Sequence, residues 1–352
     1  METLIDKFGD AETLALAGVA VGVLFGISAQ GSRFCLRAAT VEVAEGRFGP
    51  KLAIWLMAFT SALVLVQSSV LWGWLELFES RAIVSVGSLS GALIGGLMFG
   101  VGMILARGCA SRLLVLASCG NLRALITGLV LTLVAQASFR GVLSPAREWI
   151  ASLWTIPGGA ARDLATILGL STTIITAFAL MSLAASLVFA RQRDVSAGSM
   201  LASLGVGAAI AAGWLATFKI AQTSFEVVPV SSVTFTGPAT DTLMALVAQQ
   251  SVSLSFGIGL VPGVAIGAGL SALVAGEWRI ERFGADTPME RYLIGAVLMG
   301  FGAMLAGGCA VGAGLSGGSA LSLTAWLAVS AMWVGAVVTH RLMILMPVPQ
   351  RL

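Results

Sequence analysis

Ionisable side chains are scarce in this chain. Only 11% of its 352 residues are Asp, Glu, Lys or Arg, whereas a soluble domain covers its surface with about 25%. With 57% of residues hydrophobic and a mean hydropathy of +0.96, that shortage excludes a water-soluble globule and points to solvation by lipid. Histidine is all but missing: His340 stands alone, and the four cysteines (Cys35, Cys109, Cys119, Cys309) form no CxxC pair. A zinc or iron site therefore lacks ligands, and no metal or other cofactor is expected. There is no GxxxxGK[ST] phosphate loop, so nothing points to ATP hydrolysis as the driving reaction. No basic run interleaved with aromatics occurs, so the net charge of +3 implies no nucleic-acid partner. Acidic residues within apolar stretches are limited to Glu76 and Glu79, at the end of one, and no proton relay stands out. Asp163, Glu226 and Asp241 fall in connecting segments or short helices, where surface solvation explains them. The first residues, with Glu2, Asp6, Lys7, Asp10 and Glu12, have neither a basic n-region nor a cleavage site, so no removable signal peptide is expected.

Long apolar runs are what the chain does have. About 20 apolar residues cross a bilayer as a helix. Nine candidates meet this need: 13–30, 51–76, 86–106, 121–138, 166–190, 197–217, 252–275, 290–306 and 319–345. The fold class is thus an all-α polytopic membrane protein, a single integral membrane domain over 1–352. Two further apolar pieces, 109–118 and 309–316, are too short to cross and read as re-entrant half-helices. Counting Lys and Arg on each side gives fourteen against six when the N-terminus is outside. The expected topology is therefore N-out and C-in.

The run 94–110, IGGLMFGVGMILARGCA, is copied at 294–310, IGAVLMGFGAMLAGGCA, with nine of seventeen positions identical and no gap. The copies are the third and eighth spans. That odd offset of five makes them point in opposite directions, giving an inverted repeat: 13–138 as first copy, 166–190 as linker, 197–345 as second copy. Both copies close on Gly-Cys-Ala. Inverted repeats place equivalent residues on opposite sides of the midplane, so Cys109 and Cys309 are expected along one path through the molecule.

An anion inside a membrane needs oriented dipoles, hydrogen-bond donors or cations. Gly108 and Gly308 are expected to take positive φ and let the chain turn. The half-helices that follow would then present free N–H groups and a positive dipole end, with Ala110, Ser111, Ala310, Val311 and Gly312 as donors. A neutral thiol adds a weak S–H donor and a soft sulfur, suited to an anion with a terminal sulfur such as thiosulfate. A lone membrane cysteine packs as a small hydrophobe, and Cys119, outside the repeat, is read that way. Cys35 forms a third candidate site, flanked by Arg33 and Arg37, which serve either as an ordinary positive-inside flank or to offset an anion. Arg107, before Gly108, is replaced by Gly307 in the second copy and is the clearest asymmetry between them.

Three elements together resemble the YeeE/YedE family of bacterial sulfur-compound transporters: the RFC at Arg33–Cys35, the glycine-rich stretch up to Cys109, and IGAVLMGFGAMLAGGCAVG up to Gly312. The resemblance covers about residues 13–340. It implies an hourglass-shaped inverted-repeat protein of the bacterial cytoplasmic (inner) membrane that takes up thiosulfate. It further implies passage between Cys35, Cys109 and Cys309 through S–H···S hydrogen bonds without a covalent bond. A cytoplasmic TusA-like sulfurtransferase serves some members as partner, and others are linked to selenium compounds. Two readings compete. One is a membrane thiol oxidoreductase or persulfide carrier, for which Cys119 is the nearest resolving thiol but stands roughly 15 Å from Cys109 by helical rise. The other is a transporter of a different small solute, in which the cysteines only pack.

Overall fold

The computed structural model describes residues 7–78, 80–224, 227–248, 253–282 and 289–345. Glu2, Asp6, Glu79 and Glu226, named above, and Arg351, counted among the inner arginines, lie outside the described residues. The chain begins with α1 (Asp10–Gly31), α2 (Leu36–Ala44), α3 (Pro50–Leu71), α4 (Arg81–Val84), α5 (Leu89–Leu105), α6 (Ala110–Ser118) and α7 (Leu122–Arg140). It continues with α8 (Ser144–Ser152), α9 (Leu164–Leu168), α10 (Thr172–Gln192), α11 (Ala197–Thr223) and α12 (Thr236–Ala248). After these come α13 (Phe256–Val274), α14 (Met289–Ala306), a turn of π-helix at Gly312–Gly317, and α15 (Leu323–Leu345). A two-residue ribbon, β1 (Gly87–Ser88) against β2 (Thr155–Ile156), is antiparallel with Gly87 opposite Ile156.

Among the described residues nine helices are long and apolar enough to cross a membrane, and they coincide with the nine expected spans. Departures at the ends have local causes. The second span stops at Leu71 because Gly73 turns the chain at φ +70°. The fifth starts only at Thr172 because Gly169, at φ +64°, closes the short α9. Helices α2 and α12 were not among the expected spans; both are short and begin after a break in the chain. Side-chain caps start four of the long helices. Ser88 accepts from Gly91 N–H at 2.8 Å, Asn121 from Ala124 N–H at 2.9 Å, and Ser255 from Ile258 N–H at 3.3 Å.

Small residues set how closely the helices approach. A methyl at Gly95 would lie 2.6 Å from the Gly302 carbonyl oxygen, and one at Gly302 2.7 Å from that of Gly95. The same holds for Gly102 and Gly295, at 2.6 and 2.7 Å. With 95 beside 302 and 102 beside 295, α5 and α14 cross antiparallel, backbone against backbone. Helices α1 and α13 instead run the same way, since Gly18, Gly22 and Gly26 meet the carbonyls of Phe256, Leu260 and Val264 in step.

Helix contacts recur in pairs on exchanging 10–140 with 197–345. Helix α1 packs on α13, and α11 on α3; α5 packs on α15, and α14 on α7. Likewise α2 packs on α15 and α12 on α7, while α6 meets α13 and the π-turn meets α3. Helix α10 packs on α3, outside this exchange. At one end, Arg33–Glu277, Arg123–Tyr292 and Arg341–Ala44 contacts tie the elements together. This end carries most of the arginines. At the other, Arg162 donates to Ser85 and to Thr324 Oγ1, the latter at 2.6 Å, joining the β1 segment to the start of α15.

Candidate functional site

Three helices stop in the same way, and each stop leads to a cysteine. After α1, Phe34 N–H reaches back to Ala29 O at 3.1 Å, with Arg33 at φ +52°. After α5, Gly108 N–H reaches Met103 O at 3.2 Å, with Arg107 at φ +54°; after α14, Gly308 N–H reaches Ala303 O at 2.9 Å, with Gly307 at φ +79°. These are six-to-one helix terminations that put one residue in the left-handed region. The left-handed residue is thus Arg107 or Gly307, not Gly108 or Gly308 as the sequence led one to expect. The motif glycines occupy the next position. Their small size serves close approach instead: a methyl at Gly308 would lie 3.1 Å from Ala313 N, and one at Gly108 3.3 Å from Leu113.

Immediately afterwards each cysteine opens a new helix. The carbonyls of Cys35, Cys109 and Cys309 accept the first helical bonds, from Ala39, Leu113 and Ala313 N–H at 3.3, 2.9 and 2.8 Å. The N–H groups before those donors belong to the free end of each helix. They include Ala110 and Ser111 at one site, and Ala310, Val311 and Gly312 at the other. Neither Cys35 nor Cys109 caps its helix with its side chain. Both Cys109 and Cys309 are buried, at 1% exposure, and all four cysteines are free thiols.

The thiols of Cys35 and Cys109 neighbour one another, with Arg112 and Arg37 as cations close by. Ser111 Oγ is 3.4 Å from Cys109 Sγ. The second half differs. Thr234 Oγ1 stands 4.0 Å from Cys309 Sγ, and the same hydroxyl would be 2.3 Å from a methyl at Gly312, so only glycine fits there. Residue 235, which opens α12 as Cys35 opens α2, is phenylalanine. Phe235 is buried against Phe25 with ring centroids 5.0 Å apart. It also lines an apolar crevice of about 190 Å³ with Ala110 and Leu113 of α6. Phe235 thus follows Thr234, which touches Cys309, and shares its crevice with the first turn of α6. Comparing 30–40 with 230–240, which share Ala-Thr at 39–40 and 239–240, is the signal that would have found Thr234 and Phe235.

The arginines separate by role. Arg33 is paired with Glu277 at 2.8 Å and is largely exposed. It lines, with Gln30, Arg112, Cys119 and Arg279, a cavity of about 440 Å³ at the arginine-rich end. Arg112 donates to Gln30 at 3.4 Å there. Cys119 faces Ala268 O at 3.9 Å, and burial pushes its thiol up, which suits a packing residue. The nearest thiol to Cys109 is Cys35 and not Cys119, a correction to the sequence reading, since the turn at Arg33 brings Cys35 beside it. Arg37 and Arg107 belong to a separate basic cluster on the same end.

The sequence profile described as "Sulphur transport" matches residues 31–338. The chain belongs to the Sulphur transport family. It is also 28% identical over 324 residues, 88% of this chain and 93% of the other, to the thiosulfate transporter TsuA of Spirochaeta thermophila. Family and apolar helices together make this a multi-pass membrane protein of sulfur transport. The match begins just before Arg33 and ends just short of His340, so it takes in all three helix-to-cysteine breaks.

Proposed function

We propose that this protein takes up thiosulfate, or a related sulfur-containing anion, by passing it along Cys309, Cys109 and Cys35 without covalent chemistry. The observation that carries the reading is the recurrence of one arrangement: a buried thiol at the uncapped N-terminus of a helix, with free N–H groups beside it. The oxyanion end of thiosulfate accepts from those N–H groups, and its terminal sulfur accepts from the thiol. Desolvation is offset by dipoles fixed in advance, so no large rearrangement is needed at each step. The adjacent Cys35 and Cys109 thiols supply two consecutive stations. The name of the Spirochaeta relative supports the choice of anion.

The remaining parts of the proposal follow from the chain's halves and charge. Residues 13–138 and 197–345 act as inverted copies about the α5–α14 crossing, with 166–190 as linker, and the paired contacts support this. The arginine-rich end faces the cytoplasm of a bacterial inner membrane, giving N-out and C-in. A TusA-like sulfurtransferase on that side is the partner that would consume the cargo.

The test is uptake of labelled thiosulfate in a strain lacking its own sulfate and thiosulfate importers. Cys109→Ala and Cys309→Ala are expected to abolish uptake at unchanged membrane level, and Cys35→Ala to reduce it at least tenfold. Uptake surviving all three changes refutes the thiol path. The contact between Cys35 and Cys109 favours one other reading, a dithiol oxidoreductase. Recovery of a Cys35–Cys109 disulfide during turnover, by mass spectrometry of alkylated protein, would establish that reading instead.

A further inference from the structure

Four guanidinium groups gather around one buried phenol at the arginine-rich end. Arg123 lies over the Tyr292 ring at 4.9 Å and donates to its hydroxyl at 3.1 Å. Arg37 and Arg107 lie within electrostatic reach of each other, and Arg291 lies within reach of both. Among the described residues none of the four forms a salt bridge with a carboxylate. The Nε atoms of Arg37 and Arg291 are buried with no hydrogen-bond partner, although Arg291 spends one terminal N–H on Met343 Sδ at 3.1 Å. Glu281 is the carboxylate near Arg123; like charges brought together with so little counter-charge repel, and buried N–H groups without acceptors each cost free energy. An anion held among them would relieve both.

The duplication sharpens the point. On exchanging the halves at an offset of 200, Arg37, Arg107, Arg123 and Arg291 fall on Gly237, Gly307, Leu323 and Gly91. The scaffold therefore forms without these four arginines. Arg107 even sits at φ +54° where its counterpart is a glycine, a left-handed backbone that costs about 1 kcal/mol or more with a side chain.

We infer that Arg37, Arg107, Arg123 and Arg291 form an oxyanion site, next to the Cys35 thiol, for a doubly charged sulfate- or phosphate-type group. Planar guanidinium forks suit such oxygens, and the exposed Arg107 leaves the basin open at its rim. The group comes either from a free anion or from the headgroup of an anionic lipid. If it is the free anion, the site is the station beyond Cys35, and that role alone rests on the proposed transport.

The experiment uses the full chain, purified in phospholipid-free micelles, with sodium sulfate and sodium thiosulfate as probes at constant ionic strength. Thermal melting is followed for wild type, Arg107→Gly and the double variant Arg107→Gly/Arg291→Gln. Both anions are expected to raise the melting temperature of wild type, with half-saturation about tenfold or more higher in the double variant. Repeating this in nanodiscs of phosphatidylcholine with or without phosphatidylglycerol separates the sources. A free-anion site responds equally in both. A headgroup site loses its response when phosphatidylglycerol is present, and wild type then retains that lipid on purification where the double variant does not. Should the double variant not fold, Arg107→Gly alone carries the comparison. Equal half-saturation and equal bound lipid in wild type and variant overturn the site, as does a wild type that responds to neither anion and retains no lipid. Failure of the thiol path reads differently: uptake survives Cys109→Ala while the melting response stays intact.

Discussion

Arg33 and Arg107 occupy backbone conformations usually given to glycine, and they do so two residues before Cys35 and Cys109. Gly307 shows what the same turn looks like without a side chain. Arg107→Gly is therefore expected to melt, without ligand, at or above wild type, by up to about 1 kcal/mol of stability. A variant that melts clearly lower would mean that the guanidinium holds the helix ends together, not an anion. At this scale the sequence was readable where identity mattered. The thiols and the asymmetry at position 107 stand out from the repeat alone. Which residue takes positive φ was not readable, because it is decided by the hydrogen bond from position 108 back to 103. Glycine content suggested the wrong member of the Arg-Gly and Gly-Gly pairs.

Among the elements, α5 and α14 form the crossing on which the halves turn. Alanine at Gly95 or at Gly295 brings a methyl within 2.6 Å of opposing backbone atoms. Each substitution is expected to cost about 1–3 kcal/mol, and the two costs should agree because the sites are equivalent. Gly128 on α7 has nothing within 4 Å of an added methyl. Gly128→Ala should be neutral or stabilise by up to about 1 kcal/mol. Thermal melting of the three variants in one detergent checks both statements. The long spans were legible from hydropathy, since lipid imposes the length. Short helices α2 and α12 were not: they are nine and thirteen residues long, below what a span requires, and exist because other helices surround them.

Taken whole, the helix contacts recur in pairs across the two halves, while one end carries most of the arginines. Phe235 holds the place that Cys35 holds in the other half. On the proposed path such a bulky ring would act as a filter for size and hydration. Phe235→Leu, which keeps the site filled, is expected to admit sulfate as a competitor of thiosulfate uptake. Phe235→Ala should do so more strongly, at a cost of about 3–5 kcal/mol in stability, so membrane level must be measured alongside. Unchanged discrimination in both variants would remove Phe235 from the path. Direction, too, belongs to this scale: an anion moving toward a negative interior works against about 2.3 kcal/mol per charge at 100 mV. A basic far end lowers the last part of that climb.

Helices α5, α7 and α13 begin with a serine or asparagine that closes off their first N–H groups, whereas α2 and α6 begin with a cysteine whose side chain does not. The start of α6 therefore keeps first N–H groups that its own N-cap side chain does not close. On the proposed path a passing oxyanion would do what serine does elsewhere, so that for the moment of its stay the cargo would be the cap.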